Sequence, residues 1–170
     1  MENFNFYKEL FEKELSRKVE IENSVNIPIG ILTLLISSVF FLNKNIYGKT
    51  DFLIKIGMVL IVISITLSFV FLTKSFNNFF KGFKYKNLPD TIELRNYQLK
   101  LNEYNSQVKK DEKESFKNYL IDNYIQMTDN NLKINRKRLY DLFISKTFII
   151  ISIILTMILG IIIISKNNIL

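Results

Sequence analysis

The sequence predicts an all-α integral membrane protein with three transmembrane helices, an N-terminal amphipathic helix and a cytoplasmic helical hairpin. Three observations predict it. The stretches Ile27–Leu42, Ile56–Thr73 and Thr147–Ser165 contain no Asp, Glu, Lys or Arg, and their lengths lie near the ~17–25 residues that carry an α-helix across a bilayer. A polar, lysine-rich segment from Lys74 to Lys146 separates the second from the third. Phe148–Leu155 offers no polar side that a soluble helix could turn to water.

Residues 1–26 hold the amphipathic helix, with Phe4, Phe6/Tyr7, Leu10/Phe11, Leu15, Val19 and Ile21 spaced at three to four and Glu and Lys between them. Residues 27–73 form a transmembrane hairpin, its spans 27–42 and 56–73 joined by the polar turn 43–51. The first span is short and carries Pro28 and Gly30 near its start. Lys55 opens the second, where its long stem can carry the ammonium back to the interface. In the segment 74–146 one helix opens after Leu88-Pro89-Asp90-Thr91. Leu94, Tyr97, Leu101, Tyr104 and Val108 follow as a short coiled-coil seam. Lys109–Glu114 is the charged turn. Phe116, Leu120, Tyr124 and Met127 then resume the apolar stripe on a helix that runs into the third span, 147–165, before the external tail 166–170.

Cations near span ends favour the cytoplasm. Arg17, Lys18, Lys74, Lys81, Lys84, Lys86, Arg136, Lys137, Arg138 and Lys146 flank one side, against Lys44, Lys49 and Lys166 on the other. The N-terminus and residues 74–146 are therefore expected in the cytoplasm. The net charge of +7 then lies against a leaflet of anionic lipid headgroups, a more economical partner than nucleic acid.

The chain has no histidine and no cysteine, which removes the commonest metal ligands, the usual general base and any thiol nucleophile. No phosphate loop, nucleophile elbow or working carboxylate pair occurs. The expectation is a non-enzyme with no catalytic residue, metal or cofactor. The lead Glu2–Glu22 is acidic and helical, unlike a cleavable signal.

Two sets of residues stand out. Asn131, Asn135 and Arg138 fall at i, i+4 and i+7 and continue the line through Tyr124. This face reads as a solvated surface, as a polar network fixing the register of packed helices, or as a site for a small anionic signal with Arg138 on phosphate. Within the spans, small and hydroxyl residues share faces: Ser152, Thr156 and Gly160; Gly57, Ser64 and Ser68; Gly30, Thr33 and Ser37. Such faces let helices pack closely or line a narrow pore built by several copies.

The order of amphipathic helix, membrane hairpin and helical segment, with Tyr85, Leu88-Pro89, Leu94 and Tyr97, then Tyr119-Leu120 and Tyr124 before Asp129, Asn131, Asn135 and Arg138, resembles small membrane effectors of bacterial antiphage defence. These are the SLATT-type two-span proteins and the effectors of CBASS and some retrons. A third span is added here. The resemblance implies residence in the bacterial inner membrane and assembly into a homo-oligomer. It also implies permeabilisation or depolarisation of that membrane, an abortive, toxin-like response to a sensor protein or nucleotide signal from a neighbouring gene. The alternative function is a membrane anchor or adaptor whose cytoplasmic hairpin docks a separate sensor or enzyme.

Overall fold

A computed structural model describes residues 2–45 and 52–167. Its regular structure is all helical: α1 Glu2–Asn23, α2 Asn26–Asn45, α3 Phe52–Asn77, α4 Thr91–Gln107 and α5 Phe116–Asn167, with one 3-10 turn at Lys110–Glu112. Three helical stretches, lying within Asn3–Lys44, Phe52–Asn77 and Lys110–Ser165, are long and apolar enough to cross a membrane. Most of the expected turn 43–51, at residues 46–51, and residues 168–170 of the tail lie outside the described residues.

The elements exceed the apolar runs because polar flanks continue the helices. α2 has 20 residues and α3 has 26, about 30 and 39 Å of helix at about 1.5 Å per residue. α1 stops where Pro28 would interrupt it: a proline has no N–H to bond the carbonyl four residues back, and its ring clashes there. A turn at Ser24–Val25 results, and Pro28 falls in the first turn of α2, where it is tolerated.

The helices form two compact units. The first comprises Met1–Val19 and Lys84–Arg136. Its apolar centre is Phe11, Tyr124 and Met127, flanked by Phe4, Tyr7, Leu15, Leu88 and Leu120. Phe4 and Phe11 both lie against the Tyr124 ring, at 5.7 and 5.6 Å between centroids. Tyr97 of α4 stacks on Tyr119 of α5 at 3.9 Å. Along α4 the expected seam is only partly buried. Leu101 is enclosed, but Tyr104 is exposed and Val108 lies past the helix end. Asp90 stands at the N-cap, yet its side chain makes no capping hydrogen bond.

The second unit comprises Glu20–Phe83 and Lys137–Leu170, with Leu32 and Leu35 of α2, Ile54, Ile61 and Leu72 of α3, and Leu142, Ile149 and Leu159 of α5 in its core. On α3 the enclosed positions Ile54, Ile61, Ser64, Ile65, Ser68, Leu72 and Ser75 share one side of the helix, as a helix packed along one face requires. Beyond α3, Asn78, Phe79, Phe80 and Gly82 all take positive φ, from 45° to 69°. That left-handed turn ends the helix, with the Gly82 N–H on the Asn77 carbonyl and the Asn78 amide on the Gly82 carbonyl.

Candidate functional site

Asn131 and Asn135 are both fully enclosed, so the solvated-surface reading is wrong at these positions. The reason lies in the segment just before α4. Residues 84–86 lie in no helix, and α5 supplies asparagines to their main-chain groups instead. Asn131 accepts the Lys86 N–H at 2.9 Å and donates its own amide to the Lys86 carbonyl at 2.9 Å. One side chain thereby satisfies both main-chain groups of one residue, as a neighbouring strand would. The Asn130 amide donates to the Lys84 carbonyl.

One turn on, Asn135 joins three elements. Its amide donates to the Glu14 carbonyl at 2.8 Å and to Glu14 Oε2 at 2.9 Å, and its oxygen accepts the Tyr85 hydroxyl at 2.6 Å. Glu14 is only 5% exposed and is held by Arg17, whose guanidinium reaches Oε1 at 2.8 Å. Lys18 lies over the Tyr85 ring at 5.0 Å. A buried carboxylate with a cation on one oxygen and an amide on the other is fully engaged. This arrangement fixes the register of α1, α5 and residues 84–86, since a slip by one residue leaves several buried groups unpaired.

Tyr124 does not join this network. It belongs to the aromatic cluster with Phe4 and Phe11. Arg138 lies apart as well, in the second unit, and is 1% exposed. Its Nε donates to the Ser75 carbonyl at 3.0 Å, the Ser75 hydroxyl donates back to the Arg138 carbonyl at 2.8 Å, and Nη1 lies 3.6 Å from Glu22. The Phe83 ring covers the guanidinium at 4.8 Å. With this set around it and almost no exposed surface, Arg138 offers no face to a phosphate, which overturns that reading. Beside it, Lys74 pairs with buried Asp141 at 2.8 Å.

The small residues of the apolar helices divide similarly. Ser68 and Ser145 exchange hydroxyl-to-carbonyl bonds at 3.0 and 2.9 Å, and the Ser64 hydroxyl donates to the Phe148 carbonyl at 3.0 Å. Ser152 is fully enclosed, and Gly57 lies where an added Cβ would meet Leu159 Cδ1 at 3.0 Å. Ser64, Ser68 and Gly57 thus meet α5 of the same chain. Thr156 is half-buried and bonds its own helix at the Ser152 carbonyl. A Cβ at Gly160 would meet nothing within 4 Å. Steps of four rotate about 40° each on a helix of 3.6 residues per turn, so Gly160 has left the seam that Ser152, Leu159 and Ile163 follow. Gly30 is open in the same way, and Thr33 and Ser37 are exposed, with hydroxyls on their own helix.

Glu14, Ser75, Glu22 and Asp141 were not singled out by the sequence, and Tyr85 and Lys74 were noted there only for the resemblance and for the charge bias. For Glu14 a signal existed: Phe4, Tyr7, Phe11, Glu14, Lys18, Ile21 and Val25 alternate by three and four, and Glu14 interrupts that stripe as Asn131 interrupts the stripe of α5. Outside the apolar helices, burial and the nearby Glu114 carboxylate raise the Tyr97 phenol above its ordinary 10.0.

Helical architecture, three helices of membrane-spanning length and two buried polar networks define the class as a small all-helical protein compatible with membrane residence. No protein family, curated protein or solved structure matches the chain.

Proposed function

We propose that this chain is a non-enzymatic effector of the bacterial inner membrane. It oligomerises and permeabilises or depolarises that membrane in response to a sensor or signal, in the context of antiphage defence. The observation that carries the reading is the polarity of α5. One unbroken helix bears Asn131 and Asn135 at enclosed positions in one unit and Arg138, Ser145 and Ser152 at enclosed positions in the other. Polar groups at packed positions tolerate few registers, so a helix built this way suits a protein that switches between discrete arrangements. On this reading, residues 74–146 form a cytoplasmic helical hairpin that receives the trigger. The trigger acts only in so far as it binds the assembled state more tightly than the resting one. Ser64 and Ser68 of α3 and Ser145 of α5 bond across that helix pair, so on this reading a conduit requires several copies.

The test is membrane potential and viability in bacteria during induction of the chain, alone and with its genomic neighbours. Depolarisation before loss of viability is expected, abolished by Asn135→Ala at equal expression. An intact potential under both conditions would refute the effector reading in favour of the anchor or adaptor.

A further inference from the structure

We infer that the groove between the start of α2 and α5 binds one anionic phospholipid. Its walls are Ile27, Pro28, Ile31, Ile149, Ile150 and Ile153 around a space of about 300 Å³, with Ser24 and Lys146 completing the lining. The polarity runs lengthwise. α2 and α5 advance together along this face, because Leu34, Ser37 and Phe41 lie beside Thr156 in the next recess. Ser24 and Lys146 therefore share one end and Ile31 and Ile153 the other, matching a headgroup above an acyl chain. Lys146 is exposed, and among the described residues no carboxylate pairs with it. A phosphodiester supplies the missing counter-charge, whereas the apolar helix of a second copy leaves the ammonium uncompensated. Free phosphate gives no reason for five isoleucines. The inference rests on membrane insertion as proposed above but not on the effector role.

The test is native mass spectrometry of the full chain released from bilayers holding equal phosphatidylglycerol and phosphatidylcholine. Phosphatidylglycerol adducts are expected in excess. Lys146→Gln lowers that excess about fivefold, the factor for about 1 kcal/mol from one cation at a lipid surface. Lys137→Gln, at an exposed cation of the same helix outside the groove, leaves it within twofold, and Ile150→Trp lowers retention of both lipids by filling the groove. Equal binding of the two lipids, equal effects of the two lysine variants, or displacement of the lipid by inorganic phosphate would each overturn the site. Release of the chain from membranes by alkaline carbonate would instead overturn the membrane reading beneath it.

Discussion

Asn135→Asp replaces the amide that faces Glu14 Oε2 at 2.9 Å with a carboxylate oxygen, at a position with 0% exposure beside a carboxylate with 5%. Two carboxylates at that separation cannot both ionise, so the pair retains a proton and its upper pKa rises. The folded state then binds a proton that the unfolded chain has lost above about pH 4. Stability falls with rising pH from there until the folded pair ionises, by about 1.4 kcal/mol per unit. Three units of such a rise correspond to about 4 kcal/mol at neutral pH and to a drop in Tm of order 10 °C. Asn135→Ala gives the control. It removes the bonds to Glu14 and Tyr85 and leaves a buried carboxylate short of a donor, about 3 kcal/mol at any pH above the carboxylate range. The assay is helical circular dichroism of the full chain in detergent, melted at pH 4.5 and 7.5, each variant read against wild type at the same pH. Asn135→Asp, with two carboxylates in contact, recovers most of its deficit at pH 4.5, while Asn135→Ala, with one, recovers less. A deficit for Asn135→Asp that is equal at both pH values would refute the argument, showing that water or a rearranged Arg17 relieves the repulsion.

Arg138→Ala should destabilise by about 3–5 kcal/mol, because the buried Ser75 carbonyl loses its donor and a large cavity opens under Phe83; a loss below 1 kcal/mol in chemical denaturation would show the guanidinium to be dispensable. Ser145→Leu should cost about 1–3 kcal/mol by forcing apart α3 and α5 at the Ser68 contact, whereas Ser145→Ala should cost only about 0.6 kcal/mol, as hydrogen bonds between helices in bilayers do. Gly57→Leu meets Leu159 and should lower monomer stability, while Gly160→Leu, with open space around it, should leave stability intact and reduce oligomer size by light scattering if copies assemble there. The chain has no cysteine, so Lys44→Cys and Lys110→Cys report topology: an impermeant maleimide should label the first in intact cells and the second only after lysis.

Much of this was legible from the sequence for a simple reason. A charge-free run of apolar residues has few ways to satisfy its backbone besides a helix, so α2, α3 and the end of α5 announce themselves. The shared face of Asn131, Asn135 and Arg138 was equally plain, being arithmetic on 3.6 residues per turn. What that face touches was not legible. Glu14 lies 121 positions from Asn135 and Tyr85 lies 50, and an Asn on a helix looks the same whether it meets water or another segment's main chain. Arg138 illustrates the opposite difficulty. Its neighbours Arg136 and Lys137 are exposed, and only the position of Ser75 and Phe83 marks Arg138 as the enclosed one.

The left-handed turn after α3 carries a consequence for what the chain tolerates. A non-glycine residue in that region costs about 1 kcal/mol or more of backbone free energy, yet two of its four positions are Phe79 and Phe80, the latter 85% exposed. In water such a sequence is a poor exchange: glycine would relax the backbone and hide nothing less. At a boundary between hydrocarbon and water the balance reverses, since each ring gains a medium that accepts it. Glycine scanning across residues 78–82 should thus raise thermal stability in a mild, thin detergent shell while weakening retention in bilayers, separating what the fold prefers from what its surroundings demand.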